Sequence, residues 1–126
     1  MSDSNKPIVY SCSGCSNLAQ LAYDIALQLE SDGIAEMSCI SGVVGNVEPI
    51  KQMAESGRPI IIIDGCSLAC TRACLEACGL KAVLYIDISR YGIEKRSIRE
   101  SAFNESCVAL KHVYEELRMA GYAIPH

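Results

Sequence analysis

The sequence predicts an α/β fold: a three-layer, open, mostly parallel sheet of about four strands in the order 2-1-3-4, helices on both faces, flavodoxin- or Rossmann-like. Three observations predict it. Short apolar runs alternate with amphipathic stretches of helical period. "PIIIID" carries consecutive isoleucines, Ile60 to Ile63, which suit a strand buried on both faces. Glycine- and cysteine-bearing turns follow the first three apolar runs, where parallel strands hand over to helices. The 126 residues suit a single domain, 1–126, with one hydrophobic core.

Each element follows from its local chemistry. "PIVYS" (Pro7 to Ser11) is the first strand. A helix comes next, with Leu18, Leu21, Ala22, Ile25, Ala26 and Leu29 on one stripe. Ser16 or Asn17 can cap its start and Gly33 can close its end. "IAEMSCI" reads as the second strand, with Ala35, Met37 and Cys39 alternating onto one face. "SGVVGN" reads as a glycine loop. Pro49 opens a short helix that Gly57 stops. After "PIIIID" the run "DGCSLACTRACLEACG" reads as a helix starting at Asp-Gly-Cys and ending at Gly79, and "KAVLYIDI" as the fourth strand. Residues 89–103 read as a polar, basic loop or insertion. The last helix is expected from about Asn104 to Ala120, with Cys107, Leu110, Tyr114 and Leu117 on its apolar stripe.

Composition narrows the function classes. Half the residues are hydrophobic and the net charge is -4, which argues for a globular protein and against nucleic acid as a partner. No charged segment followed by a long apolar run suggests a signal peptide, and no stretch nears the roughly 20 apolar residues of a membrane span. A cytoplasmic location follows as an expectation. The eight cysteines are then expected as thiols, metal ligands or redox groups, not as structural disulfides.

Parallel sheets put their functional crevice beyond the carboxyl ends of the strands. The strand order brings Cys12, Cys15, Cys39, Cys66 and Cys70 to that rim, with Cys12 and Cys15 facing Cys66 and Cys70. The helix carrying Cys66, Cys70, Cys74 and Cys78 cannot offer all four to one ion. At ~1.5 Å rise per residue they span about 18 Å, whereas two sulfurs on one zinc lie at most about 4.6 Å apart. Counting about 100° per residue from Cys66, Cys74 and Cys78 fall deeper along a wide apolar arc, so they are expected as small buried core residues. Cys66 and Cys70 are placed at the helix start, where free N–H groups favour thiolates. The C-x-x-C of Cys12 and Cys15 has the same advantage, and Gly14 lets its loop bend. C-x-x-C with C-x-x-x-C is a metal signal, and the same thiols could work without one. The metal ligands expected are Cys12, Cys15, Cys66 and Cys70, with Cys39 as an alternative fifth thiol that its strand alternation also fits to the core. Cys107 is expected in the core; His112 and His126 are not expected as ligands.

"YSCSGCSNLAQLA", "MSCISGVVG", "IIIIDGCSLAC" and "YGIEKR" together resemble the DGC-domain family, which takes its name from the Asp-Gly-Cys motif. The resemblance runs from about Val9 to Arg96, with the motifs in the family's order. It implies zinc binding through chelating cysteines, which carry over here to Cys12, Cys15, Cys39, Cys66 and Cys70. Ser67 stands where the family would place proline, and Cys74 and Cys78 are additions.

The expected function is therefore zinc held by thiolates, since soft sulfur donors suit zinc. Four cysteines would close the site, and three would leave a position for water or a thiol. An iron–sulfur cluster is the alternative metal group, although the spacing matches neither common ferredoxin run. A thiol enzyme or a persulfide or selenide carrier could use the same cysteines. "YSCSGCSN" sits like the phosphate loop of small phosphatases but lacks the arginine such loops use. Asp64 could be a base or a helix cap. "SRYGIEKRSIR" offers a contact surface, a flap over the rim, or a solvated loop. The sequence does not name a protein partner or a small-thiol substrate.

Overall fold

The computed structural model describes residues 6–12, 16–65, 68–92 and 103–124, the side chains of 103–106 excepted. Four parallel strands form one sheet in the order β2-β1-β3-β4. They are β1 (Ile8–Ser11), β2 (Glu36–Met37), β3 (Ile60–Asp64) and β4 (Leu84–Asp87). Helix α1 (Asn17–Ser31) links β1 to β2. Helices α2 (Ile40–Val44) and α3 (Glu48–Ala54) lead from β2 to β3. Helix α4 (Cys70–Ala77) joins β3 to β4, and α5 (Phe103–Met119) follows a 3-10 turn at Ile88–Tyr91.

Side-chain alternation divides the layers. Val9, Ile61, Ile63 and Ile86 point to one core, filled by Leu18, Leu21, Ile25 and Leu29 of α1 and Ala109, Val113 and Leu117 of α5. Ile8, Tyr10, Ile60 and Ile62 point to the other, closed by Val43, Ala54 and Leu75 of α2, α3 and α4. The isoleucine run is thus buried on both faces, and each such side chain removed from water contributes roughly 1.5–3 kcal/mol. Helix α1 begins where its sequence allows: the Ser16 side chain accepts from the Ala19 N–H at 3.2 Å. It ends at Gly33, whose φ of 74° lets the Ile34 N–H return to the Leu29 carbonyl at 3.0 Å.

Several elements differ from the sequence expectation. "SGVVG" is not a loop: Ile40–Val44 form helix α2, because β2 ends at Met37 and the buried Val43 needs a helical turn to reach the core. The cysteine helix starts at Cys70 and not at Asp-Gly-Cys. Ala69, at its N-cap, has φ 55° and ψ 47°, a left-handed conformation that interrupts a continuous helix. On α5 the buried line is Ala109, Val113 and Leu117, so Cys107, about 120° from Val113 around the helix, is exposed and not in the core. Of the expected loop at 89–103, residues Ser89 to Tyr91 belong to the 3-10 turn, and 93–102 lie outside the described residues. No helix among the described residues is long and apolar enough to cross a membrane.

Candidate functional site: a thiol rim beside Asp64 and Gly65

All strand pairs are parallel, so the chain leaves β1, β2 and β3 at the same edge of the sheet. Ser11 is in register with Ile63, which sets Cys12 level with Asp64. The Cys12 N–H donates to the Ile63 carbonyl at 3.2 Å, extending the ladder past the strand. The Gly65 N–H then donates to Cys12 Sγ at 3.2 Å. One sulfur of the C-x-x-C is thereby fixed on the backbone of Asp-Gly-Cys, one residue before Cys66. Cys15 and Cys66 themselves lie outside the described residues.

Asp64 and Gly65 each have a structural reason to be what they are. Asp64, only 1% exposed, accepts from the Thr71 N–H through Oδ1 at 3.2 Å and from the Arg72 N–H through Oδ2 at 3.3 Å. Between a base and a cap, the geometry selects the cap. Asp64 also holds the first turn of α4 against the end of β3, so Cys70, the residue before Thr71, lies at the rim. Tyr85 adds to this cluster: burial pushes its hydroxyl pKa up, and the Asp64 charge and hydrogen bond push it further. The Arg72 guanidinium lies 5.0 Å over the Tyr85 ring. Gly65 sits against the first turn of α1, where a Cβ would come within 2.8 Å of the Leu18 carbonyl carbon and 2.9 Å of the Ala19 nitrogen. Only glycine lets β3 and α1 approach so closely.

Cys39 is the N-cap of α2 and is exposed, which corrects the core reading; it lies beyond the end of β2, so strand alternation does not govern it. Its Sγ is 2.9 Å from the Ser41 hydroxyl. Hydrogen bonds from Ser41, then from the Gly42 backbone, hold the Cys39 thiol below its usual pKa. Burial raises the Tyr10 hydroxyl pKa, and the Cys39 charge adds to that rise.

Cys12 is half-buried and Cys70 exposed. Among the described residues, no group of three or more His, Cys, Asp or Glu side chains is close enough to hold a metal ion. Cys12, Cys39 and Cys70 therefore share an edge of the sheet without forming a three-donor cluster by themselves. Cys74 is half-buried and Cys78 exposed, against the expectation that both fill the core. That expectation counted angles from Cys66 along an unbroken helix, and the turn at Ala69 removes its origin; Thr71 and Leu75 are the buried side of α4. His112 is exposed and stacks on Tyr91 with ring centroids 4.6 Å apart, and His126 lies outside the described residues. Ser41, Thr71 and Tyr85 were not foreseen. A hydroxyl two residues beyond a cysteine that follows a strand was the available signal for Ser41; nothing local marks Thr71 or Tyr85.

Comparison with known proteins assigns the family. A family model described as the DGC domain matches residues 8–113. The "Anaerobic and virulence modulator AnvM" of Pseudomonas aeruginosa is 46% identical over 107 residues, which cover 85% of this chain and 77% of that protein. No solved structure matches. With its Asp-Gly-Cys at the end of β3 and the family match spanning most of the domain, this chain belongs to the DGC-domain family.

Proposed function

We propose that the rim is a thiolate centre for a soft metal ion, zinc, with Cys12, Cys15, Cys66 and Cys70 as its donors and Cys39 as a neighbouring thiol. The observation that carries this reading is the hydrogen bond from the Gly65 N–H to Cys12 Sγ, which joins the C-x-x-C to Asp-Gly-Cys. Backbone N–H groups aimed at sulfur disperse thiolate charge, as the outer hydrogen bonds of metal sites do. The donor chemistry fits: soft sulfur ligands favour a soft ion. Thiolate-bound zinc supplies a closed structural centre with four sulfurs, or an open Lewis-acid position with three. The chain's own contribution is positioning. Asp64 anchors the first turn of α4, which Cys70 begins, and Gly65 lets α1 and β3 approach closely.

The test is metal content of the untagged protein. Because thiols oxidise in air, and because the relative is named an anaerobic and virulence modulator, purification is anaerobic. About one zinc per chain is expected, lost in Cys12→Ser/Cys66→Ser because a hydroxyl is a poor ligand for a soft site. Full retention of metal in that variant ends the proposal. A brown protein containing iron and sulfide would replace zinc with an iron–sulfur cluster.

One observation favours a second reading, thiol chemistry without a metal. Cys39 is exposed, hydrogen-bonded to Ser41 and held toward its thiolate form. A thiol of that kind suits a persulfide carrier or a thiol enzyme. Trapping a persulfide on Cys39 in protein purified without metal would support it.

A further inference from the structure

Helix α4 and its C-cap, Cys78, display three cysteines that the core packing does not use. Taking Cys70 as zero and about 100° per residue, Cys74 lies near 40° and Cys78 near 80°, while the buried Thr71 and Leu75 lie near 100° and 140°. Cys70 and Cys74 thus flank the buried side, one exposed and one half-buried; Cys78 is nearly in line with Thr71 but stands at the C-cap, past the last helical residue, where it is exposed. Arg72 and Glu76, paired at 3.4 Å, occupy the far side. Cys78 also lines a cavity of about 480 Å³ with Val43, Val44, Asn46, Lys51 and Leu80. That space opens at the lower end of α4, two helical turns from the first residue of the helix.

We propose that Cys74 and Cys78 form a second, two-sulfur chelate for thiophilic ions, separate from the rim. On a helix, residues four apart bring their Cβ atoms to about 5–6 Å. From there, rotamer choice can bring two sulfurs within the ~4.6 Å that one thiolate-bound ion spans. Two protein sulfurs leave the remaining coordination positions to water or a small thiol, and the cavity beside Cys78 provides room for them. Such a site binds and releases readily, so it suits capture or exchange of an ion more than its permanent retention. The pairing is Cys74 with Cys78, not Cys70 with Cys74, because only Cys78 opens onto that cavity.

Phenylarsine oxide probes this pair directly. It condenses with two adjacent thiols: two S–H bonds give way to two As–S bonds, and the arsenic oxygen leaves with both protons as water, with no change of oxidation state. The full chain is treated with four equivalents, enough for every pair its eight cysteines could form, remaining thiols are alkylated, and the protein is digested with trypsin. Cleavage after Arg72 and Lys81 yields peptide 73–81, whose cysteines are Cys74 and Cys78. The expected product is that peptide with one phenylarsenic bridge and no alkyl group, lost in Cys74→Ala and in Cys78→Ala. A doubly alkylated peptide from the wild type overturns the proposal. So does a bridge from Cys70 to Cys74, which would join two peptides across Arg72. The readout is independent of the rim: Cys12→Ser/Cys66→Ser should keep the bridge on 73–81 even if the rim holds no metal. Equilibrium dialysis against cadmium extends the test to an ion. The Cys74→Ala/Cys78→Ala chain should bind about one ion fewer than the wild type, and equal uptake contradicts the assignment.

Discussion

Gly65 and Cys39 each connect a local chemical requirement to the thiol rim. At Gly65 the requirement is space. A methyl group there would meet backbone atoms of Leu18 and Ala19 at 2.8 to 2.9 Å, and backbone cannot swing aside as a side chain can. Gly65→Ala should therefore cost about 1–3 kcal/mol, the usual range for an overpacked site. Urea unfolding should show a lower midpoint at unchanged slope; an unchanged midpoint would mean that α1 and β3 are not held this closely. At Cys39 the requirement is charge. Ser41 and the Gly42 backbone favour its thiolate, so Cys39 should alkylate faster at neutral pH than the exposed Cys107. Ser41→Ala removes the first of those hydrogen bonds, so the pH midpoint of Cys39 alkylation should move upward. Peptide-resolved iodoacetamide kinetics measure both, and an unmoved midpoint would assign the reactivity to something other than Ser41.

The tie between α1 and α5 gives the molecule a pH dependence at its alkaline end. The Tyr114 hydroxyl, on α5, donates to Asp32, the C-cap of α1. Burial first, and the Asp32 hydrogen bond and charge next, push the Tyr114 pKa up to about 12 from the ordinary 10.0. A folded-state pKa above the unfolded one means that the contribution is fully present below pH 10 and fades as pH climbs toward 12. Tyr114→Phe should be less stable than wild type at neutral pH, with a gap that narrows as pH passes 10. Urea midpoints of both proteins across the alkaline range check this; a gap that stays constant there would detach the stability difference from the hydroxyl. The helices also show where sequence patterning was sufficient and where it was not. Helix α1 was legible because its stripe, its serine cap and its closing glycine agree. Helix α4 was misplaced by one turn because nothing in "SLAC" announces an alanine in the left-handed region, which costs a non-glycine residue roughly 1–2 kcal/mol and is set by tertiary context. On α5, Cys107, Val108, Ala109 and Leu110 are all apolar, so hydrophobicity alone did not fix which of them turns inward.

At the level of the whole molecule, the parallel sheet and its 2-1-3-4 order were readable because strand and helix periods alternate as far as the fourth strand and Ile60 to Ile63 demand burial on both faces. That topology carries Cys12 and Cys39 to one edge of the sheet, and the Asp64 cap draws Cys70 to it. What the sequence concealed was the fate of thiols that belong to no motif. Cys74, Cys78 and Cys107 resemble small core residues in composition, yet Leu75, Val113 and Leu117 do the packing and leave the thiols accessible. The molecule thus has a rim that Cys12, Cys39 and Cys70 share, beside a capped helix and a close glycine contact, and a helix side where further cysteines are accessible. The central claim, that the rim sulfurs hold zinc, is tested most directly by X-ray absorption at the zinc edge of the anaerobically purified, untagged protein. The account predicts a first shell of sulfur at about 2.3 Å, in the range of zinc–thiolate bonds. A first shell made of nitrogen or oxygen at about 2.0–2.1 Å, or zinc absent from the protein, would contradict it.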